Sequence, residues 1–581
     1  MEKRVSLRKT NQESVIDFNE KLDKGHNFVD YFFTIGVEPH IALKPWLYEA
    51  SIDELNTTYK EHLSPKIINK FPTIEKKLLG IDDTLINHIF PLGFKLIEGL
   101  NEPIKEQIFS IILDNSMFSP IYTLKYVTCL IFYEPLINYY KIYEKYYDAN
   151  IPFSNMDNSR ISNNKNNSNN NLISLSINLD NNSNGKFMFN DNASNISTNT
   201  FGIGPLSNFS DIKNSIQPVF QGSTHGNNLR ISDNSQKETN ISSINNNNNN
   251  INITNIKNKN LERYYIPKCI CLISLHPFIT ECKTILEQIY KYSKLENLEM
   301  PLEKIINNLI LEVPVPPRGL YSIQYTILEK NLLLQNSRLN SLFYINFEFE
   351  KLFINFNIQQ ILVIFQYLML GIKTVFFSSE IENLTPIILS SLVLLFPFKF
   401  PFPVVSVLPK ESYNLIDNIT PEVLGINERY YSDFFRNNDI YINDDLLVVN
   451  IDEQKLEQFP QNDKNKLSSI PPLPKKITHE LMKKLKNYLS KIPKYKENGK
   501  AEENTLFVKT IRNYFLEFQV GLLKNYPKYL NSNIYKHPTE NPFNKNKFLK
   551  SVNSDDYDFY EKFIETQMFS DYLSKRMTPK N

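Results

Sequence analysis

The chain has 581 residues, of which 41% are hydrophobic and 22% charged, and its formal net charge is +1. This length suits several domains with sizeable cores, and the balanced charge argues against a general nucleic-acid-binding protein, which usually carries a basic excess. Four cysteines are too few to crosslink a chain of this length, so a reducing, cytoplasmic environment is expected.

The amino-terminal segment is polar and contains no apolar run, so no secretory signal is expected. No lipidation motif is expected either, because the chain begins Met-Glu and ends Pro-Lys-Asn. The most apolar stretches, residues 361–371 and 386–398, are shorter than the roughly 18 residues that a membrane span needs. They are expected to be buried helices, and membrane contact is expected to be peripheral or mediated by a partner.

Residues 154–260 differ from the rest of the chain in composition and contain asparagine runs such as NNKNNSNNN and NNNNNNIN. A segment of this kind buries too little apolar surface to offset the entropy of ordering the chain. We therefore predict a disordered, asparagine-rich insert. It separates a first folded block (28–153) from a second (261–475), which a third (476–577) follows.

The first block is predicted to be a sheet-centred α+β unit, because strand-like runs follow one another with few helices between them. The predicted strands are residues 31–37, 108–113 and 123–133.

The second block alternates between strand-like and helix-like runs, several of them apolar on both faces. This pattern predicts a mainly parallel sheet covered by helices. The predicted strands are residues 269–274, 374–378, 404–408 and 446–450. The predicted helices are residues 278–292, 358–371 and 384–395.

The third block is predicted to be helical. Phe507, Ile511, Phe515 and Phe518 recur at steps of three and four residues, which places them on one helix face. We interpret this stripe as facing a core.

No strong catalytic motif is present in the sequence. The nearest string to a P-loop, Gly371-Ile-Lys-Thr374, lacks the upstream glycine and precedes a predicted strand. It is interpreted as a turn between a helix and a strand. There is neither a His-Glu-x-x-His nor a Gly-x-Ser-x-Gly pattern.

One group of residues has to be weighed as a metal site. Cys269, Cys271, His276 and Cys282 are close enough in sequence to be zinc ligands. However, Cys269 and Cys271 alternate in an apolar strand and so point to one face, and cysteine is among the most frequently buried residues. Packing in the core is favoured, and no metal site is predicted.

Residues 312–319, with the sequence EVPVPPRG, are predicted to be extended. They could act as a ligand for a proline-recognising domain. A buried connection between two elements is favoured, because apolar sequence precedes them.

Short strings occur in a consistent order along the chain. In the first block they are VDYFFTIG (29–36), PKIINKFP (65–72), FPLG (90–93) and FYE (132–134). In the second block they are YIPKCICLIS (265–274), HPF (276–278), EVP (312–314), PP (316–317), FFS (376–378), LTP (384–386) and LFPF (395–398). In the third block they are FLEF (515–518), Tyr526, YL (529–530), FL (548–549), FIETQMF (563–569) and Arg576. In this order the strings resemble the upstream, central and downstream modules of DENN-domain proteins.

The resemblance implies a fold and an activity. It implies a longin-like first module, a Rossmann-like α/β second module without a nucleotide motif, and an all-α third module. The implied activity is guanine-nucleotide exchange on Rab-type small GTPases in membrane trafficking. The first two modules would hold the switch regions of the GTPase and stabilise its nucleotide-free state, which is catalysis by differential binding.

This implied activity needs no nucleophile, metal or cofactor in the exchange factor, because Mg²⁺ and GDP belong to the GTPase. The implied partner is a Rab-family GTPase, with no nucleic acid. The implied location is the cytoplasm, with peripheral association with endomembranes or vesicles.

Three residues are candidate contacts with the GTPase. Residues 448–452 resemble a place where related chains often carry two acidic positions, and here these positions are Asn450 and Asp452. Asp452 follows a predicted strand, where open α/β sheets present functional groups, but a helix N-cap role is equally open. Arg318, in the proline-rich segment, is the third candidate.

Two alternatives to exchange stay open. The protein could be a trafficking scaffold that binds a GTPase without releasing its nucleotide. It could also activate GTP hydrolysis, which would require an arginine aimed at the nucleotide. Arg318 is the residue to test first for that role.

Overall fold

The fold was analysed in a computed structural model of the chain. The described residues are 27–37, 65–73, 84–99, 104–114, 124–136, 264–295, 297–317, 319, 321–336, 346–429, 431–437, 445–459, 470–491, 501–530 and 543–577. The predicted disordered insert, 154–260, and Arg318 lie outside these residues.

The first sheet is antiparallel and has the strand order β2-β1-β6-β5-β4, with the short strand β3 paired to β6. Its strands β1 to β6 are Tyr31–Gly36, Lys66–Phe71, Ile97–Glu98, Gln107–Asp114, Leu124–Pro135 and Tyr264–Ser274. The three strands predicted for the first block are confirmed as β1, β4 and β5. The sequence pattern missed β2 and β3, which are half-buried strands rather than alternating apolar runs.

Strand β6 lies in a different place from the one predicted. The sequence assigns it to the second block, because it precedes the α/β alternation. In the structure it is the central strand of the first sheet and pairs with both β1 and β5. Residues 137–263 therefore connect two neighbouring antiparallel strands of one sheet. The insert therefore falls between two strands of the first sheet, and not between the first and second folded blocks as predicted.

Helix α1 spans Thr84–Ile89, α2 spans Ile279–Ser293 and α3 spans Leu302–Asn307. Successive side chains of β6 point to opposite faces of the sheet, and each face packs in a different hydrophobic core. Ile270 and Leu272 pack in one cluster with residues of α2 and α3, and Cys269 and Cys271 pack in the cluster on the opposite face. A separate hairpin, β7 (Ser322–Ile327) and β8 (Lys330–Gln335), covers the side of α2.

The second sheet has the order β10-β11-β9-β12-β13. The first four of these strands are parallel and β13 is antiparallel to β12, so the predicted mainly parallel sheet is confirmed. Strands β9 to β13 are Lys373–Phe377, Val404–Val405, Val423–Ile426, Leu446–Asn450 and Lys455–Phe459. Helices α4 to α7 are Lys351–Asn355, Ile358–Met369, Ile381–Val393 and Tyr431–Asn437.

The two strongly apolar stretches of the second block are helices of the core, as predicted. Helix α5 begins at Ile358 with a capping box, in which Asn357 and Gln360 satisfy each other's backbone N–H groups. Helix α6 has nine buried residues, one of which is Pro386. No helix among the described residues is long and apolar enough to cross a membrane.

The described residues of the third block are mainly helical. Helices α8 to α12 are Lys475–Leu489, Ala501–Leu522, Lys545–Lys550, Tyr557–Glu565 and Gln567–Met577. The predicted stripe on α9 is confirmed, because Phe507, Ile511, Phe515 and Phe518 are all buried.

Deleting residues 160–258 is expected to leave the fold intact. The deleted segment joins adjacent strands, and the cost of closing a loop grows only with the logarithm of its length. The free energy of unfolding should stay unchanged or rise by about 1 kcal/mol, measured by urea unfolding of the full-length and shortened chains. A large loss of stability would show that the segment packs against the fold.

Candidate functional site

Two buried hydroxyl groups of the second block, those of Thr385 and Ser406, join it to the first sheet. The Thr385 hydroxyl, on α6, donates to the carbonyl of Ser110 in β4 and is hydrogen-bonded to the Ser406 hydroxyl at 2.8 Å. Ser406, which follows β10, also accepts the backbone N–H of Ile112 at 2.8 Å. Ser110 in turn bonds to Thr128 in β5 at 3.0 Å. Backbone groups of Ser110 and Ile112, on the edge of β4 that faces away from β5, are thus hydrogen-bonded to side chains of the second block.

The same seam continues at the end of α1. The His88 Nδ1 atom lies 2.8 Å from the Val407 carbonyl oxygen. The Lys410 backbone N–H donates to the Pro91 carbonyl oxygen at 3.2 Å. Leu92, the next residue, is 38% exposed beside this contact. We use the term seam for these contacts together with the hydroxyl network of Ser110, Thr385 and Ser406.

One hydrophobic core runs through the seam. Ile111 and Ile112 of β4 belong to the same buried cluster as Ile387 and Ile388 of α6. The apolar face of the first sheet therefore packs directly on a helix of the second block. Because interfaces of this kind resemble a domain interior, the two sheets are expected to move as one body.

The third block is joined to the second through aromatic rings. The ring of Phe398 lies 5.4 Å from that of Phe563 and 5.0 Å from that of Tyr572. Phe365 of α5 meets Phe515 of α9 edge to face at 5.0 Å. Edge-to-face pairs of this kind add about 0.5–1.5 kcal/mol each beyond the burial of their area.

Several of the strings that resemble DENN-domain proteins lie at these joints. FPLG (90–93) and LTP (384–386) contribute to the seam, and LFPF (395–398) meets FIETQMF (563–569) between the second and third blocks. These strings therefore join the blocks rather than form a catalytic centre.

A second polar feature lies at the carboxyl edge of the parallel strands. The Asp452 carboxylate, in the turn after β12, accepts hydrogen bonds from the Ser378 hydroxyl at 2.8 Å and the Ser379 backbone N–H at 2.7 Å. Asn427, after β11, donates to the carbonyl oxygens of Ser378 and Ser379 at 2.9 and 3.0 Å. This network holds the turn that leads into α6.

The structure brings two of the three predicted contact residues together at this edge. Asn450 is buried at 4% exposure, and its side-chain oxygen accepts the Glu453 backbone N–H at 3.0 Å. Asp452 is exposed but uses both carboxylate oxygens within the fold. The N-cap alternative is wrong, because Asp452 lies in the turn between β12 and β13, where no helix begins. Its carboxylate instead binds the backbone N–H of Ser379, before α6 begins at Ile381. Arg318 lies outside the described residues.

The exposed surface around this edge is acidic. Glu380, Asp452 and Glu453 are exposed there, and Lys455 pairs with Glu453 at 2.7 Å. Tyr431, on α7, donates to the Glu457 carboxylate. Burial and this carboxylate raise the pKa of Tyr431 to about 12, so its hydroxyl stays protonated. The edge can therefore offer carboxylates and hydroxyls to a partner.

The cysteines form a cluster that differs from the zinc set considered from the sequence. Cys129, Cys269 and Cys271 lie together on one face of β5 and β6, with ligand atoms within 4.8 Å of one another. Cys282 lies on α2, in the cluster on the opposite face of the sheet. Tetrahedral zinc needs four ligands, and no fourth histidine, cysteine or carboxylate joins these three among the described residues.

Burial is the largest single influence on the pKa of each of these three thiols. It raises the pKa of Cys129 and Cys271 well above the usual thiol value. The same burial acts on Cys269, but hydrogen bonds with the other two thiols and with the Leu130 backbone outweigh it and lower the pKa of Cys269. All three side chains are fully buried, which agrees with the packing interpretation of Cys269 and Cys271.

Sequence reasoning did not single out the seam residues. Ser406 was visible only as a polar residue between apolar neighbours in the predicted strand 404–408, and Thr385 only as part of the string LTP. A buried polar residue inside an apolar run is the signal that could have found them, because such a group must have a partner.

Replacing Ser406 by alanine is expected to destabilise the protein by about 1–3 kcal/mol, because the Ile112 N–H and the Thr385 hydroxyl would lose a buried partner. Ser391→Ala is the matched control, since the Ser391 hydroxyl is equally buried but bonds only to the Ile387 carbonyl of its own helix. Urea unfolding measures both. Equal losses would show that the seam network contributes nothing particular to stability.

Replacing Asp452 by alanine is expected to cost about 1–2 kcal/mol, because the Ser378 hydroxyl and the Ser379 N–H lose their acceptor. Glu453→Ala serves as the control, since that exposed side chain pairs only with exposed Lys455. Thermal unfolding should separate the two variants. If both unfold like the parent protein, Asp452 has no structural role.

The second-block side of the seam lies within a segment that matches a known family model, and a second match covers part of the third block. Residues 265–454 match the model of the DENN (AEX-3) domain, and residues 543–581 match that of the dDENN domain.

Similar proteins carry the same domain name. "DENN domain-containing protein 2A" of Mus musculus is 22% identical over 328 residues, covering 54% of this chain and 30% of that protein. "DENN domain and WD repeat-containing protein SCD1" of Arabidopsis thaliana is 23% identical over 328 residues, covering 54% of this chain and 26% of that protein. The match thus spans less than a third of the length of either relative.

The family models, the relatives and the order of the strings agree on one family. The chain is a DENN-domain protein, with a DENN domain in residues 265–454 and a dDENN domain in residues 543–581.

Proposed function

We propose that this protein is a guanine-nucleotide exchange factor for a Rab-type small GTPase. The observation that carries the proposal is the DENN domain packed through the seam onto the first sheet, since DENN-domain proteins generally act on Rab GTPases. In this proposal the first sheet is a longin-like module, the second a Rossmann-like module and the third an all-α module. The protein works in the cytoplasm, peripherally on endomembranes.

Exchange needs no covalent chemistry from this protein. A small GTPase holds its nucleotide tightly, and GDP leaves when another protein binds the nucleotide-free form more strongly than the GDP-bound form. A partner of this kind must present a preformed surface, because any ordering of that surface on binding would weaken the complex. The hydrogen bonds and shared core of the seam support such a surface, formed by the first two modules together.

The GTPase contact is proposed to lie along the seam, where both modules are exposed side by side. Leu92 offers an apolar side chain at this place. We propose that the exposed acids of the carboxyl edge, Asp452 and Glu453, contact the same partner. Asn450 contributes indirectly by holding the turn that carries these acids.

The direct test uses a panel of Rab GTPases loaded with fluorescent GDP. The full-length protein should accelerate GDP release from at least one of them in the presence of excess GTP, and it should not accelerate GTP hydrolysis. Binding without faster release from any Rab would replace the proposal by the scaffold alternative. Faster hydrolysis would replace it by GTPase activation and make Arg318→Ala the next variant.

A pair of leucine variants tests where the GTPase binds. Leu92→Glu places a charge beside the seam, and the rate of GDP release should fall about tenfold or more, because a charge in the centre of an interface removes apolar contact and is desolvated. Leu311→Glu is the matched control, since this leucine is 57% exposed in the turn after α3, on the opposite side of the first sheet. Equal rates for the two variants would move the contact away from the seam.

A further inference from the structure

Helix α8 concentrates positive charge on its outward face. Residues 475–500 hold nine lysines, two glutamates and no arginine, in a chain whose overall net charge is only +1. Six of these lysines lie among the described residues, on or just after α8. The rest of the chain therefore has a net negative charge, and this segment is its strongest local exception.

The pattern of burial separates the two faces of α8. Leu481 and Leu485 are buried and face the helices behind. With 100° per residue, Lys476 and Lys483 point in the direction opposite to these leucines. Together with Lys486 they form an exposed row, which we call the lysine stripe. It extends about 15 Å along the helix.

The lysines at the margins of the stripe are neutralised, whereas those of the stripe are not. Lys475 pairs with Asp555 at 2.9 Å, and Lys484 pairs with Glu517 of α9. Neither Lys476, Lys483 nor Lys486 has an ion-pair partner among the residues that the structure describes. The acid on the same exposed face is Glu480, at the edge of the stripe. The lysines that lie near acidic residues are thus ion-paired, whereas the lysine stripe is exposed to solvent.

The chemistry of the stripe favours a diffuse anionic surface over a single anionic group. An arginine can bind one phosphate or carboxylate through two parallel hydrogen bonds, whereas the lysine ammonium acts as a point charge. A row of lysines without arginine suits the many headgroups of an anionic bilayer, to which clustered basic residues are attracted. The absence of arginine also argues against nucleic acid, whose phosphates and bases arginine binds preferentially.

We propose that the lysine stripe of α8 docks the protein onto membranes that contain anionic phospholipids. Docking would fix one side of the third block against the bilayer and would raise the local concentration of the protein at the membrane surface. The inference does not depend on exchange activity, because it follows from the charge and exposure of α8.

The test compares the full-length protein with two charge-matched variants. In the stripe variant, Lys476, Lys483 and Lys486 are changed to glutamate. In the control variant, Lys291, Lys304 and Lys330, which are exposed on α2, α3 and β8, are changed to glutamate. Both variants lose the same net charge, so they differ only in where the charge is lost. Urea unfolding confirms that both are folded.

Binding is measured by co-sedimentation with vesicles of phosphatidylcholine alone and of phosphatidylcholine with about one third phosphatidylserine. The parent protein and the control variant should bind only the anionic vesicles, and a salt concentration of about 0.5 M should release them, because screening shortens the range of the attraction. The stripe variant should bind at least about tenfold more weakly.

Three results would overturn the proposal: no binding of the parent protein to anionic vesicles, equal losses for both variants, or binding to a duplex DNA of equal charge as tight as binding to the vesicles. GDP release from a soluble Rab should be the same for the stripe variant and the parent protein. Failure of vesicle binding and failure of exchange can therefore be told apart.

Discussion

The packing of β4 against α6 and against the segment after β10 holds the first two blocks in one arrangement. Buried polar groups are tolerated only when they are paired, and here the Thr385 and Ser406 hydroxyls are paired across two sheets. The same contact is covered by a continuous apolar core. Hydrogen bonds set the register of the two sheets, and apolar burial provides most of the free energy.

This constraint has a consequence for function. A protein that releases a nucleotide from a GTPase works through the free energy of binding, and part of that energy is lost if its own surface has to become ordered. The third block supports the same arrangement from behind, through the rings of Phe398, Phe563 and Tyr572. Several of the strings shared with DENN-domain proteins therefore lie at the joints between the blocks.

Much of the fold could be predicted from the sequence, because buried strands and helices have clear periods. The runs that became β9, β12 and α5 were apolar enough to be recognised one by one. The pairing of strands was less accessible. Strand β6 has nine consecutive buried residues, which fits the centre of any sheet, and only its long-range pairing with β1 and β5 decides where it belongs.

The site was harder to predict for the same reason. Cys129 meets Cys271 through the register of β5 and β6, and Ser406 meets Ile112 across almost 300 residues of sequence. Neither proximity leaves a local pattern. Asp452 was recognisable because it follows a strand, and its position at the carboxyl edge is confirmed, whereas its proposed contact with a GTPase stays a prediction.

Hydrogen–deuterium exchange on a complex with a nucleotide-free Rab tests most directly whether the two sheets present one surface. Amides on both sides of the seam, around residues 88–93 and 407–412, should become protected together when the GTPase binds. Protection confined to one sheet, or protection elsewhere with the seam unchanged, would contradict it.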